Sequence, residues 1–435
     1  MNHLDRNNIL YKHQYGFQRG KSTEHKLIQA LNHIGTAIND NKFCIGAFFD
    51  LKKAFDVCSY DILIMKLEKI GIRGPLLEWF KSYLSNRTQY VDINGNCSNE
   101  KDISTCILQG SILGPTLFLV YINDIHYVST SLTLMFADDT LGLKSDKDLN
   151  RLIEALNRDI NRMAIWFKAN KLALNKSKTK YIIFRSKGKK INDHPPLMID
   201  ENENGNNDPS KITILERYHN GHPDKDSRAY KLLGVFLDEF LTLDAHINYI
   251  MKKLNRSMYC IRMAKNNINY KGLRALYFAL IHSHLSYCPI IINCTSQTNK
   301  SKLFKLQKKA IRIITNSAYN AHTSPLFLQH KILPLDMIIK QSKLMFMHSV
   351  NYEYAPLSFR EIWRKNNDRD FEVQLRNDDN FILPHPRCEL FKKMPIFSLP
   401  DEWNNSGNLK YYNNKITFKH ALREQLLNEL QMIND

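Results

Sequence analysis

The chain reads as an α+β protein, and three observations carry that reading. Short apolar runs of strand length (FCIGAFF at 43–49, LTLMF at 132–136, YIIF at 181–184) stop abruptly at acids, turns or polar residues. Between them lie longer segments whose apolar residues recur at helical spacing. The composition, 43% hydrophobic and 24% charged, is that of a folded domain and excludes collagen-like, coiled-coil and disordered classes. A length of 435 residues allows about three domains, or one large domain with appendages.

The elements follow in order. Leu27, Ala30, Leu31, Ile34 and Ile38 share one helical face, with Ser22 or Thr23 as N-cap. FCIGAFF has the form of a buried strand that delivers a carboxylate, Asp50, at its end. DILIMKLEKI predicts a short helix closed by Gly71, and a second short helix opens with Pro75 in its first turn. RTQYVDI and ISTCIL flank Asn94-Gly95 and predict a hairpin with a long connection. The loop QGSILGP at 109–115 leads into an apolar helix to about Val128. LTLMF-ADD-TLGL predicts two strands joined at an acidic tip, and Leu152, Ala155, Leu156, Ile160 and Met163 mark one face of a helix over 148–168. TKYIIF closes this part as a strand. Residues 186–228 are poor in large apolar side chains and read as an inserted polar loop. YKLLGVFL is strand-like, and the chain is then helical and basic to about 350. Asn- and Pro-rich stretches and a final amphipathic helix near Phe418–Leu430 end it.

The net charge of +18 and a pI of about 9.4 point to polyanionic partners. Twelve of those charges fall between Leu241 and Asn320, where thirteen Lys and Arg face a single acid, Asp244. That stretch is expected to lie against phosphate. The eight cysteines form no CxxC pair, which suits a reducing compartment. No signal-peptide pattern opens the chain and no membrane span is expected: Ala275–Ile292 is interrupted by His282, Ser283, His284 and Ser286. The protein is therefore expected in the nucleus or cytoplasm rather than outside the cell. His282, His284, Cys288 and Cys294 match no standard structural zinc spacing, and Ser59 has no evident triad partners.

Asp138-Asp139 alone would be an ordinary polar turn. Asp50, a third carboxylate at the end of another apolar strand, changes its meaning. Adjacent strands would gather all three acids, and converging carboxylates repel unless a hard cation such as Mg²⁺ neutralises them. A pair of such ions is the arrangement of phosphoryl transfer.

FFDLKKAFD at 48–56, QGSILGPTLF at 109–118 and FADD at 136–139 resemble the reverse transcriptases of non-LTR (LINE-type) retrotransposons. QYGFQRGKST at 14–23, LNKSKTKYIIF at 174–184 and YKLLGVFLDE at 230–239 match that family in order and spacing. Six ordered motifs make the likeness specific, and it runs from Gln14 to about Val350. The resemblance implies an RNA-directed DNA polymerase with a right-hand fold: an antiparallel palm sheet backed by helices, partial fingers and a helical thumb. Its boundaries would be fingers 1–45, palm 46–240 with the polar insertion at about 186–228, basic thumb 241–350, and a C-terminal region 351–435.

By the same resemblance Asp50, Asp138 and Asp139 are the catalytic metal ligands, with the Leu51 carbonyl as a further ligand for two Mg²⁺, replaceable by Mn²⁺. Phe55 falls on the sugar gate, and Gln109 and Gly110 on the loop beside the nascent base pair. Arg19 and Lys21 fall where triphosphate or template is contacted. Lys302, Lys305, Lys309 and Arg312 share a helical face that would meet the duplex backbone. The implied partners are an RNA template, a DNA primer or target, and deoxynucleoside triphosphates.

The chain departs from the family pattern at Gln18, Tyr60 and Leu108, where Arg, His and Pro are usual. Met1 stands thirteen residues before the QYGF motif, from which an N-terminal truncation is expected. The rival readings are a non-catalytic nucleic-acid-binding remnant and a basic structural protein.

Overall fold

The computed structural model describes residues 2–200, 212–219, 221–222, 228–366 and 379–432. The chain divides into two units, the first built from residues 1–22, 42–183 and 188–217 and the second from 23–41, 184–187 and 218–435. The first long helix, α1 (Thr23–Asn39), belongs to the second unit.

Unit 1 is organised by β1 (Phe43–Phe49), all seven of whose residues are buried. A strand buried on both faces has to be apolar throughout, which is why FCIGAFF does not alternate. β1 runs straight into β2 (Leu51–Lys52). After it come α2 (Tyr60–Lys69), α3 (Pro75–Leu84), and a small hairpin of β3 (Arg87–Gln89) with β4 (Lys101–Ile103). The tip of that hairpin turns through Asn94 (φ +52°) and Gly95 (φ +85°), the two-residue turn their sequence predicts. α4 (Gly114–Ile122) is buried on nearly every side, so its residues are apolar all round.

β5 (Leu132–Phe136) and β6 (Asp139–Asp146) form the acidic-tipped hairpin, and α5 (Leu149–Ala169) packs behind it. Asp148 caps α5 by accepting from the Arg151 N–H at 2.8 Å. β7 (Ala173–Leu174) pairs with β2, and β8 (Lys180–Phe184) enters the main sheet. β9 (Met198–Asp200) and β10 (Ile212–Ile214) pair with each other, and β11 (Glu216–Tyr218) forms the sheet edge. The five-stranded order is β11-β8-β1-β6-β5, with β1 at its centre and β6 antiparallel to both of its neighbours. The α+β class and the antiparallel character of the sheet are as the sequence predicts.

Two charged groups tie the layers of unit 1 together. Asp159 on α5, 2% exposed, accepts from Thr130 Oγ1, Ser131 Oγ (2.7 Å) and Lys144 Nζ (2.9 Å), locking the helix to the hairpin's base. Lys66 on α2 is buried and donates to the Tyr121 carbonyl (2.6 Å) and to Asp124 Oδ1 (2.7 Å). Its ammonium also lies 4.8 Å from the centre of the Trp166 ring. Burial pulls the Lys66 pKa down, while the hydrogen bond to Asp124 opposes that shift. Lys66→Met keeps the apolar stem but strands the Tyr121 carbonyl, so chemical denaturation is expected to show a loss of about 1–3 kcal/mol.

The stretch 186–228, which composition presents as a loop, is in part structured. Leu197, Ile199 and Leu215 are buried in the core of unit 1. Asn157 of α5 grips the same hairpin, donating to the Pro196 carbonyl and accepting from the Met198 N–H. Three apolar residues scattered among polar ones leave no period to read, so sequence reasoning missed them. Residues 201–211, 220 and 223–227 of this stretch lie outside the described residues.

In unit 2, YKLLGVFL is not one strand but a hairpin of β12 (Tyr230–Leu232) and β13 (Val235–Leu237). Leu233 (φ +45°) and Gly234 (φ +83°) make its two-residue turn. Asp238 then accepts from the Phe240, Thr242 and Leu243 N–H groups and from Thr242 Oγ1, shaping the entry to α6 (Asp244–Ala264). α7 (Gln297–Ile314) is capped by Ser296. α8 (Leu335–Asn351), α9 (Pro395–Asn404) and α10 (Lys415–Met432) pack together, and α9 also packs on α1. His348 of α8, fully buried, donates from Nε2 to the Tyr412 carbonyl (2.8 Å) and stacks on Phe418 at 4.2 Å. The C-terminal region is thus an integral part of the core of unit 2. Among the described residues no helix is long and apolar enough to cross a membrane.

Candidate active site

The hairpin register decides which acids meet. Phe136 pairs with Asp139, leaving Ala137 and Asp138 as the two turn residues. Phe49 of β1 pairs with Thr140 of β6, so one further step along the register sets Asp50 opposite Asp139. The three carboxylates therefore belong to one end of two adjacent strands, as the spacing predicts. Asp50 and Asp138 are half-buried and Asp139 is exposed, so the cluster borders solvent.

The ground beneath Asp50 is fixed by backbone pairing. Its carbonyl accepts from the Asn175 N–H at 2.7 Å, and Leu51 pairs with Leu174. Lys178, from the same LNKSKTK segment, places Nζ 4.0 Å from Asp50 Oδ2. A cation is thus drawn to the place where hard oxygen donors converge. As the side chains stand, no three His, Cys, Asp or Glu groups among the described residues close into a metal shell. The fit is one of donor chemistry and strand register. On that basis the residues suit a hard divalent ion.

Phe55 is half-buried beside this end of the sheet. Its ring stacks on Phe118 at 4.2 Å and meets the edge of Phe17 at 6.2 Å. The Gln109 side chain donates to Asp56 Oδ1 at 3.1 Å, and Gly110 has φ +84° with open space around its α-carbon. Gln109 and Gly110 are exposed, as is Arg19.

Lys21 differs from its expected role. Its ammonium donates to the Gln14 carbonyl (2.7 Å) and the Lys12 carbonyl (3.2 Å), and burial lowers its pKa to about 8. It braces its own loop rather than reaching out to phosphate. Arg312 differs too: it is half-buried and its Nε donates to the Ala321 carbonyl at 2.9 Å. Lys302, Lys305 and Lys309 are exposed on one face of α7.

Sequence reasoning also missed what lies under the acidic turn. Gln14, 1% exposed, accepts from the Gly16 N–H (2.8 Å) and the Ala137 N–H (3.0 Å), and donates to the Ala137 carbonyl (3.4 Å). The QYGF motif held the signal, but its contact is 123 residues away in the chain.

Residues 1–237 match the family model described as reverse transcriptase (RNA-dependent DNA polymerase). The chain belongs to that family, in agreement with its resemblance to the enzymes of non-LTR retrotransposons. It is 27% identical over 344 residues to a probable RNA-directed DNA polymerase from transposon BS of Drosophila melanogaster, covering 77% of this chain and 35% of the relative. It is 25% identical over 352 residues to the RNA-directed DNA polymerase from mobile element jockey of the same organism, covering 78% and 36%. The chain thus spans about a third of the length of the curated relatives it matches. Among solved structures it is similar to a telomerase from Candida albicans in complex with a telomeric RNA fragment. That likeness has a TM-score of 0.34 at 12% identity, covering 78% of this chain and 52% of the other.

Proposed function

We propose that this chain is an RNA-directed DNA polymerase that extends a primer 3′-hydroxyl with deoxynucleotides. The observation that carries the reading is the register that sets Asp50 opposite Asp139, with Asp138 in the adjoining turn. Family membership supports it. In this reading the sheet of unit 1 is the palm and the basic helices of unit 2 are the thumb.

Asp50, Asp138 and Asp139, with the Leu51 carbonyl, would hold two Mg²⁺ ions. Bound there, such ions lower the pKa of the attacking hydroxyl and stabilise the leaving oxygen. The chain's own residues do the rest. The Asn175 and Leu174 backbone fixes the Asp50 strand end, and Lys178 offers a positive charge beside it. Phe55, held between Phe118 and Phe17, would pack beneath the incoming sugar. Gln109, Gly110 and Arg19 are exposed and would meet nucleotide, and the exposed Lys302, Lys305 and Lys309 would meet phosphate backbone.

Extension of a DNA primer on an RNA template with Mg²⁺ tests the proposal, and template-primer binding without extension would favour the non-catalytic remnant. Phe55→Ala is expected to raise ribonucleotide over deoxynucleotide incorporation by about tenfold or more, because a steric gate discriminates by exclusion. An unchanged ratio in competition assays would make Phe55 a packing residue only.

A further inference from the structure

We infer that Gln14 is a positioning residue: its side-chain amide clasps Ala137 and thereby sets the backbone from which Asp138 and Asp139 project. This rests on the assignment of those acids above. Ala137 has φ +54°, whereas Asp138 does not share a positive φ. That is the sign pattern of a type II′ hairpin turn, whose first position normally requires glycine. An alanine there stores strain of about 1–3 kcal/mol and persists only where its surroundings hold it.

Gln14 supplies that hold at both ends of the residue, accepting from its N–H and donating to its carbonyl. Gly16 lies beneath the same bond: a β-carbon at position 16 would come within 2.4 Å of the Ala137 nitrogen. The clasp is itself braced, because the Gln14 carbonyl accepts from Gln18 Nε2 (2.8 Å) and Lys21 Nζ (2.7 Å). Two further backbone bonds, Tyr15 N–H to the Met135 carbonyl (2.8 Å) and Met135 N–H to the His13 carbonyl (3.0 Å), seat the loop along β5. The loop therefore grips the strand and the turn together, and the positions of its Gln, Gly and Lys follow from that geometry.

Gln14→Glu tests the idea, because it keeps the acceptor for both N–H groups and changes only the group facing the Ala137 carbonyl. Ionised, that carboxylate repels the carbonyl; protonated, it donates to it as the amide does. Burial favours the protonated form. The expected result is a kcat for extension about tenfold below the parent at pH 8, with template-primer Kd within twofold, and a deficit that shrinks toward pH 6. Expressing each value relative to the parent removes pH effects common to both proteins, including that of Lys21, which bonds the Gln14 carbonyl and has its pKa lowered to about 8 by burial. Hydrogen exchange at the Ala137 amide is expected to accelerate at pH 8 once corrected for intrinsic rate. A deficit that does not move with pH, or a parental kcat in Gln14→Leu, which removes both the acceptor and the donor facing Ala137, would overturn the positioning role. Asp138→Asn run in parallel separates the two claims. If it retains full activity, the acid assignment fails; if it is inactive while Gln14→Leu matches the parent, only the clasp fails.

Discussion

Asp138→Asn is expected to reduce primer extension by at least about a thousandfold, some 4 kcal/mol of barrier, while leaving template-primer affinity within a few fold. The asymmetry follows from where the side chain sits. Asp138 occupies a two-residue turn at the solvent border, so replacing one oxygen by an amide removes negative charge without opening a cavity. Its proposed work is to hold a cation against the reacting phosphate, whereas affinity for the duplex comes from counterion release at lysines elsewhere. Single-turnover extension and fluorescence anisotropy, measured on the same preparation, separate these effects. Asp50→Asn should behave similarly, although the carboxylate also faces Lys178 at 4.0 Å. An Asp138→Asn variant with parental turnover would remove the acids from the chemistry altogether.

How much of this was legible in sequence depends on whether burial alone dictates the residue type. β1 was readable because a strand buried on both faces leaves an unbroken apolar run, and the carboxylate that ends it stands out. The β5–β6 hairpin was readable for the same reason, and its acidic tip with it. What failed was the partner of each polar side chain, whether 123 residues away, as for Gln14 and Ala137, or only 7, as for Lys21 and Gln14. Nothing local marks Gln14 as a ligand of the Ala137 backbone, or Lys21 as its brace. A lysine whose ammonium is bound to two carbonyls has the same letter as one that waits for phosphate. Arg312 shows the converse on a helix: the face was read correctly, yet its terminal residue turns to cap the following loop. Leu197, Ile199 and Leu215 were hidden by their polar neighbours, since periodicity needs more than three points.

Glu24 is a half-buried acid whose ionisation bears on stability. It lies in the first turn of α1, within unit 2, and its Oε1 accepts from the Ile290 N–H at 3.2 Å. That N–H belongs to the start of the short helix Pro289–Asn293, which Cys288 introduces in a left-handed conformation (φ +51°). Burial raises the Glu24 pKa to about 7, and the Ile290 hydrogen bond only partly offsets it. The sign is that of an acid harder to ionise when folded. Below about pH 4.5 both states hold the proton and no penalty exists. Between pH 4.5 and 7 the unfolded chain releases it while the folded chain keeps it, so stability falls as pH rises. Above pH 7 both are ionised and the penalty stays constant, at up to roughly 3 kcal/mol. Glu24→Gln removes the ionisation and keeps the acceptor for Ile290. Urea denaturation across pH 4–8 should therefore show the variant gaining on the parent through this window and holding a constant advantage above it. Parallel curves at every pH would mean that Glu24 is equally easy to ionise in both states, and that α1 and the Pro289 helix meet through an ordinary hydrogen bond.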